Sequence, residues 1–510
     1  MRNFNMDKEN TIDRRTFMSA SSAAALSMMV VPAHVLGGAK HVAPSDKVNI
    51  GYIGTGTQGL RVLMEFLRHE DVHIAAVCDV NRDSQDYVEW SPNEIRDKIR
   101  MFINEPAWGE SNTGCRAGRM VGKEVVETFY KNVQGVADYK GCNAYEDFRD
   151  MLEKEKGLDA VVILTPEHLH ATIAIAAMRK GLHVITHKPI SNVISEVRLA
   201  TKTAAETGVA THMFCSASMQ TTPLLCEWIW AGAIGQVREV HNWTTRPFWP
   251  QGMYEYPQDT PPVPDGLNWD LWLGPAEYRP YHRAYTHATF RGWYDFGTGP
   301  LGDMGHYSFY QIWKILKLGA PVTVEASASV YWAIEGSAWV KKVNKVSLPQ
   351  AATVHWEFPE RGDMAPVTLH WYDGGIRPPV IKELESDKRA MPEEGLLFVG
   401  DKGKILAGFS GNSPRIIPEK AMKAFTRPPQ TLPRPKDEID QWVQACRGGE
   451  PAGARFEVAR EFNETLCLGT IALRAGKKLL WDTEKMQITN DDDAQKLVYR
   501  KYRPGWELEV

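Results

Sequence analysis

Paired cysteine is the first thing this sequence lacks. Its seven cysteines are scattered over 510 residues, with an odd total and no Cys-x-x-Cys pair. That excludes a disulfide scaffold and a zinc-ribbon pattern. Dense blocks of Lys and Arg are missing too, and the formal charge is −4. Nucleic acid is therefore not an expected partner. No internal repeat, low-complexity segment or His-Glu-x-x-His spacing occurs. What remains is 43% hydrophobic and 24% charged, a balance that buries a large core and rules out wholesale disorder. At about 150 residues per domain, two to four domains are expected in a soluble, globular chain.

The one notable apolar run lies near the start. Arg14-Arg15 precede Thr16-Phe17, a mostly apolar stretch runs to Val31, and Pro32-Ala33 follow. A basic start, a short apolar run and small residues describe an export signal. The run is too short to span a bilayer comfortably. The paired arginines followed by Phe17 resemble the twin-arginine type. Residues 1–40 are therefore expected to be an address, with a mature chain beginning between Gly37 and Ser45 in the periplasm of a bacterium. No cysteine sits there to take a lipid, so no membrane anchor is expected after processing.

Lys47 to Ile53 is a short β-rich run, followed directly by Gly54-Thr55-Gly56-Thr57-Gln58-Gly59. Leu60, Leu63, Met64 and Leu67 then recur at helical spacing, and His73–Cys78 reads as a second strand ending at Asp79. Strand, Gly-x-Gly-x-x-Gly, helix, strand and acid form the order of a dinucleotide-binding unit. Gly54 permits the tight turn, Gly56 lets the backbone approach a pyrophosphate, and Gly59 lets helix and strand pack closely. The helix N-terminus offers free N–H groups to the phosphates. Asp79 can accept hydrogen bonds from the adenosine ribose hydroxyls and would repel a 2′-phosphate, which favours NAD over NADP; Arg82 nearby pulls the other way. An insertion at 84–140 reads as a surface lobe or subunit contact.

Leu158–Leu164 is a buried-strand run ending in Thr165-Pro166-Glu167-His168-Leu169-His170, and His183–Thr186 leads into His187-Lys188-Pro189. Ligands of open parallel sheets bind outside the carboxyl ends of strands, so Gly54, Thr165 and Lys188 should surround one crevice. From Val48 to about Asp482 the arrangement resembles the Gfo/Idh/MocA family of oxidoreductases. The family's Thr-Pro-Asn-x-x-His corresponds to Thr165–His170, with Glu167 in place of Asn. Its Glu-Lys-Pro corresponds to His187-Lys188-Pro189, with His in place of Glu. The resemblance implies cofactor contacts from Gly54, Thr55, Gly56, Gln58, Gly59, Asp79, Thr165, Pro166, His170 and Lys188.

Beyond residue 192 the pattern turns to strands. Val354, Trp356 and Phe358 alternate with His355 and Glu357, and Val367, Leu369 and Trp371 with Thr368, His370 and Tyr372. Such alternation means a sheet with one apolar and one wetter face. The expected fold class is α/β: an N-terminal Rossmann dinucleotide-binding domain plus a C-terminal α+β domain. The resemblance implies that the second sheet is open and mostly antiparallel, with a face that often meets another subunit, hence a homo-oligomer. The expected divisions are 46–192 for the Rossmann domain, 193–435 for the substrate and oligomerisation domain, 436–482 for helices that pack back, and 483–510 for a tail.

Trp293 to His306 carries Gly297, Gly299, Gly302 and Gly305, which allow an irregular backbone leading into a helix over Phe309–Leu318. Asp303 and His306 are three apart and face one way on a helical turn. This resembles the family's Asp-x-x-x-His signature, shortened to Asp-x-x-His. His306 can take a hydroxyl proton, Asp303 would orient it, and Lys188 would hold the hydroxyl and favour its deprotonation. His168, His170 and His306 lack a metal-ligand spacing, and no catalytic metal is expected. Trp243, Trp249, Trp269, Trp272 and Trp293 cluster among charged residues, which suits a carbohydrate; Arg246, Trp249, Trp293 and Tyr294 are the candidate substrate contacts. The leading reading is a periplasmic NAD-dependent oxidoreductase acting on a sugar or glycoside hydroxyl, C3 being one candidate. An NAD-dependent glycosidase working by transient C3 oxidation and elimination is the second, and a non-catalytic sugar-binding protein the third. A tightly held, recycling cofactor is expected in either enzyme.

Overall fold

A computed structural model describes residues 47–110, 114–215 and 220–508. The export signal expected over 1–40 lies outside them. The chain opens with β1 (Val48–Ile53), α1 (Thr57–Leu67) and β2 (Val72–Cys78). The apolar stripe of α1, Leu60, Leu63, Met64 and Leu67, is buried against the sheet, as its spacing requires. A hairpin of β3 (Ser84–Tyr87) and β4 (Cys115–Ala117) follows, with α2 (Glu94–Ile103) between its strands. Then come α3 (Arg119–Asn132), β5 (Asn143–Tyr145), α4 (Phe148–Lys154), β6 (Ala160–Ile163), α5 (Glu167–Met178), β7 (His183–Thr186), α6 (Ile194–Thr207) and β8 (Thr211–Met213). The six sheet strands run parallel in the order β5-β2-β1-β6-β7-β8. This doubly wound order opens a crevice at the carboxyl ends of β1 and β6.

Two expected boundaries move. The Rossmann sheet takes its sixth strand from 211–213, so the first domain runs past 192: a short strand with a polar Thr-His-Met sequence gives little periodic signal. The insertion is also shorter than 84–140, because α3 is the crossover helix that delivers the chain to β5 and buries Val121, Val125, Val126 and Phe129. Only the β3–α2–β4 lobe is extra.

The second half supplies α7 (Thr221–Trp230), β9 (Val237–Trp243), α8 (Trp269–Leu273), α9 (Gly299–Leu316), β10 (Thr323–Ala328), the hairpin β11 (Tyr331–Glu335) and β12 (Ala338–Lys342), β13 (Ala352–Phe358), β14 (Val367–Tyr372), β15 (Gly395–Gly400), β16 (Lys404–Ala407) and β17 (Arg415–Ile417). It closes with α10 (Glu438–Cys446), α11 (Phe456–Ala475), β18 (Leu479–Asp482), β19 (Gln487–Ile488) and α12 (Asp492–Lys496). Among the described residues a nine-stranded sheet forms in the order β17-β16-β15-β9-β14-β13-β10-β18-β19. All its pairs are antiparallel except β14 with β9. The alternation read in β13 and β14 decides which face is which. Trp356 and Trp371 point inward and are fully buried, meeting Phe309 of α9 edge-on. The Trp356 indole N–H also donates to the Thr465 carbonyl of α11 at 3.1 Å. Helix α10 instead packs on the first domain, with Trp442 against Phe66. No helix among the described residues is long and apolar enough to cross a membrane.

The segment expected as a tail is built into the fold. Trp506 is buried against Phe148, and Arg503 donates to the Gly274 carbonyl. Arg500 reaches back to Glu196 of α6 at 2.5 Å and to the Asn192 side chain, with Glu196 shielded from solvent. Truncating one partner of such a pair strands a buried charge, at a cost of about 3–5 kcal/mol. Arg500→Met should therefore lower the denaturation midpoint by the equivalent of about 3–5 kcal/mol. Lys496→Met, which removes the fully exposed pair to Asp493, should leave the midpoint nearly unchanged. Equal midpoints for the two variants would refute the role assigned to the C-terminal segment.

Candidate active site

The glycine loop joins β1 to α1. Gly54 has φ +97°, and a Cβ there would sit 2.5 Å from the Leu164 backbone; one at Gly59 would sit 2.0 Å from the Gly54 carbonyl oxygen. Neither position accepts a side chain, so the loop draws the first turn of α1 tight against the ends of β1 and β6. Helix α1 is capped by Gly56 with no side-chain hydrogen bond to its first turn, which leaves those N–H groups for an anion. Gln58 lies in that turn, half-buried. This cradle fits the pyrophosphate of a dinucleotide.

Asp79, at the end of β2, accepts from the backbone N–H of Thr55 at 2.7 Å and of Asn81 at 2.8 Å. Burial raises its pKa despite these bonds. Its first task is thus to fix the glycine loop, with lone pairs left over for a ribose. Thr55 is wholly buried and acts through this bond to Asp79. The lobe that the sequence left without a role leans on the same loop. A Cβ on Gly56 would come 3.1 Å from the ring of Tyr87. His287 stacks on Tyr87 with ring centres 3.8 Å apart and pairs with Asp86 at 2.9 Å.

Around the crevice the ends of β6 and β7 meet the first turns of α9. Thr165 and Pro166 are half-buried at the end of β6, and Pro166 caps α5. Lys188 is 4% exposed; its Nζ donates to Asp303 Oδ1 at 2.7 Å and to the Asp303 carbonyl at 2.5 Å. It also lies 4.8 Å from the centre of the Tyr307 ring. Arg291 Nε donates to the same Asp303 Oδ1 at 2.8 Å. Burial opposes ionisation of Asp303, but Lys188 and Arg291 outweigh it and hold the carboxyl well below its usual range. Burial likewise works against the Lys188 ammonium, and Asp303 more than offsets it, so the lysine pKa is raised. Each of the pair therefore favours the charged form of the other.

His306 is fully buried. Its Nδ1 lies 2.5 Å from the Gly302 carbonyl oxygen, an acceptor, so Nδ1 carries the proton. Nε2 is buried without a hydrogen-bond partner, and its lone pair is free. Burial pushes the imidazole down to about 3, keeping it neutral. The sequence assigned Asp303 to orient His306; the structure gives that work to the Gly302 carbonyl and binds Asp303 to the two cations. Of the glycines before Phe309, Gly299 takes φ +60° as the expected irregular backbone requires, while Gly302 and Gly305 act differently. Helix α9 already starts at Gly299, and Gly302 and Gly305 lie within it, where a Cβ would strike Thr298 or Leu466. They serve close packing rather than irregular backbone.

Glu167 begins α5 and is 3% exposed. It accepts from the Thr298 hydroxyl at 2.5 Å, and burial lifts its pKa to about 7 against the pull of that bond and of Arg291. His187 lies beside Phe214 and is kept neutral by burial and by Lys188. His170 is corrected from cofactor contact to brace: Nδ1 meets the Pro189 carbonyl at 2.6 Å and Nε2 the Thr165 carbonyl at 2.8 Å. Burial keeps the imidazole neutral, so one nitrogen donates to its carbonyl while the other faces the second, between the β6 and β7 loops. His168 likewise bonds the Trp272 carbonyl.

Among the four candidate substrate contacts, Trp249 reaches the cluster, with the Arg291 guanidinium 5.8 Å from its ring centre. Arg246 pairs with Glu394 and lies over Phe248. Trp293 is fully buried, donates to the Ala284 carbonyl and stacks within an aromatic core of Tyr256 and Tyr285; it holds the site's loop rather than a ligand. Tyr294 packs under Arg474 of α11. Arg291 was not found from sequence, since one arginine in an irregular stretch carries no spacing.

The fold and cradle define a nicotinamide dinucleotide-binding α/β protein of the oxidoreductase type. The profile of the oxidoreductase-family NAD-binding Rossmann fold matches residues 120–214, and that of the same family's C-terminal α/β domain matches 233–344 and 370–508. The chain belongs to the Gfo/Idh/MocA family. Relatives named glycosyl hydrolase family 109 protein include one from Stenotrophomonas maltophilia (strain K279a), 29% identical over 173 residues, 34% of this chain and 28% of the relative. Another, from Solibacter usitatus, is 28% identical over 196 residues, 38% of this chain and 35% of the relative. The chain thus spans about a third of the length of these curated relatives. The WlbA dehydrogenase from Bordetella pertussis, solved in complex with NADH and UDP-GlcNAcA, superposes with a TM-score of 0.51 at 16% identity, covering 86% of this chain and 99% of that one. The WlbA enzyme from Chromobacterium violaceum gives 0.50 at 15% identity, over 87% and 98%. At these identities the likeness is one of fold.

Because the folded-state pKa of Glu167 lies above the ordinary 4.5, the folded protein keeps a proton that the unfolded chain releases. Its contribution to stability is complete below about pH 4.5 and is lost as pH rises through about 7. Glu167→Gln mimics the protonated form and removes this dependence. The stability of Glu167→Gln relative to the parent should rise by on the order of 3 kcal/mol between pH 5 and 8. Thermal melts across that range check it, and a flat difference would contradict the titration.

Proposed function

We propose that the protein is a periplasmic oxidoreductase that oxidises a hydroxyl of a sugar or glycoside, using a tightly bound NAD. The observation that carries this reading is the free, buried Nε2 of His306 beside the ion-paired Lys188–Asp303–Arg291 cluster at the mouth of a dinucleotide cradle. A lysine so firmly ionised cannot be the base; it positions the substrate oxygen and stabilises negative charge developing there. His306 Nε2 takes the hydroxyl proton, with the Gly302 carbonyl stabilising the imidazolium through Nδ1. Asp303 fixes the Lys188 ammonium, and Arg291 shares that carboxylate. The nicotinamide supplies the acceptor for the hydride from the same carbon. Asp79 supports NAD over NADP, since a 2′-phosphate beside its carboxylate is repelled.

A carbohydrate is favoured by an aromatic path that leads out from Arg291. Trp249 meets Phe248 at 5.0 Å between ring centres, and Phe248 meets Trp90 of the lobe at 4.7 Å. The outer two rings are 55% and 61% exposed, unused flat surface of the kind that sugar C–H faces pack on. The name carried by the relatives favours a second reading, glycoside cleavage through transient oxidation at C3. There the ketone acidifies the C2 hydrogen and the C1 substituent is eliminated. Export is supported by Arg14-Arg15 and the apolar stretch after them. Self-association is supported by the hairpin β11–β12, whose Trp332, Ile334 and Trp339 are more than half exposed, a patch of the kind that marks an interface.

Absorbance of the purified mature protein, mixed with panels of free sugars and glycosides, tests the reading. A reduced-nicotinamide band should appear with one sugar class. His306→Ala and Lys188→Ala should each lower kcat by about 10²–10⁴-fold while the cofactor stays bound. Release of the aglycone with no lasting band would move the assignment to the glycosidase. No bound nucleotide and no change on adding NAD would sink both.

A further inference from the structure

The outer face of the large sheet carries a row of histidines. Register pairs Glu325 of β10 with His355 of β13, His355 with His370 of β14, and His370 with His241 of β9. Their sequence neighbours Trp356, Trp371 and Val240 are fully buried in the core. Strand alternation therefore puts the histidines on the face away from α9, Lys188 and His306. This group belongs to no part of the oxidoreductase machinery.

The geometry within the row is specific. The rings of His241 and His370 stack 4.5 Å apart at 11°. His241 Nε2 lies 3.1 Å from Glu239 Oε2, and His370 Nε2 lies 4.0 Å from the same oxygen. Both Nε2 atoms thus converge on one carboxylate, and one donor atom from each of the three residues lies within 4.8 Å of the others. The opposite nitrogens are tied down: His241 Nδ1 to the Tyr372 hydroxyl at 3.1 Å, and His370 Nδ1 to His355 Nδ1 at 2.7 Å. An imidazole fixed through Nδ1 with Nε2 aimed at a shared point is how metal-ligating histidines are held. Around a tetrahedral cation with bonds near 2.0–2.1 Å, donor atoms stand about 3.3 Å apart. Small side-chain rotations bring these three to that spacing. The two histidine side chains are 11% and 20% exposed and so held in place, while that of Glu239 is 50% exposed and gives an entry path.

We propose that Glu239, His241 and His370 form a binding site for a divalent transition cation of the zinc class, with Tyr372 and His355 orienting the two imidazoles. Two nitrogens and one carboxylate oxygen suit zinc, nickel or cobalt rather than calcium or magnesium, which prefer oxygen alone. Three protein ligands leave a fourth position open toward solvent.

The test uses the tag-free full chain, stripped with EDTA and titrated with ZnCl₂ by calorimetry. One equivalent per chain should bind. His370→Ala and Glu239→Gln should each weaken binding at least 100-fold, and His355→Ala, which removes only an orienting partner, about 10–100-fold. His282→Ala, elsewhere on the surface, should change nothing. Melts in EDTA confirm that each variant is folded. Cobalt(II) absorption adds an independent readout: a d–d spectrum without an intense thiolate band is expected, lost in His241→Ala. Absence of stoichiometric zinc binding, binding unchanged in both His370→Ala and Glu239→Gln, or a thiolate band would each overturn the proposal.

Discussion

The shared oxygen of Asp303 is the point on which the site depends. Lys188 comes from the end of a Rossmann strand, Arg291 from a short 3-10 helix (His287–Gly292) of the second half, and Asp303 from the first turns of α9, and both cations bond Oδ1. Burying three charges is costly unless each is paired with good geometry. Two cations on one carboxylate leave net positive charge in a nearly dry crevice. Such a place is poor for a free ion and good for an oxygen becoming an alkoxide, because the field is already oriented before any substrate arrives. The cluster also sets where α9 begins relative to β7, and so where His306 stands.

A division of labour follows from the same charges. Lys188 is held as an ammonium by Asp303 and its backbone carbonyl, which removes it from proton transfer. Asp303 is held ionised by its partners. The group with a free lone pair is His306, kept neutral by burial and fixed in tautomer by Gly302. Positioning and proton transfer thus fall to two side chains whose pKa values are driven in opposite directions, the lysine up and the imidazole down.

Much of this was legible in the sequence. The glycine loop was readable because Gly54 and Gly59 leave no room for a side chain; Asp79, Thr165 and Lys188 were readable because each follows a short apolar strand run. The inner face of β13 and β14 was readable because period two leaves no other arrangement for Trp356 and Trp371. What escaped were contacts between distant segments. Arg291 meets Asp303 from a single 3-10 turn with no repeating pattern, and His170 stands between two carbonyls that only folding brings near. The extent of the insertion was misjudged because α3, a core crossover helix, follows a polar lobe without a break in composition. The outer histidines were seen as the wet side of two strands, but their meeting with Glu239 required the parallel pairing of β14 with β9.

The two departures from the family pattern both stand within the field of Lys188. The family's Glu-Lys-Pro places a carboxylate beside the lysine, and its Thr-Pro-Asn places a neutral amide at the neighbouring strand end. Here His187 is neutral, held so by burial and by Lys188, and the carboxyl appears instead as Glu167. Glu167 stands at the start of α5, where the helix N-terminus favours its ionised form and burial opposes it more strongly. Burial lifts the Glu167 carboxyl to about 7, against the pull of the Thr298 hydroxyl and Arg291. Positive charge around Lys188 is therefore greatest when Glu167 is protonated and falls as it ionises.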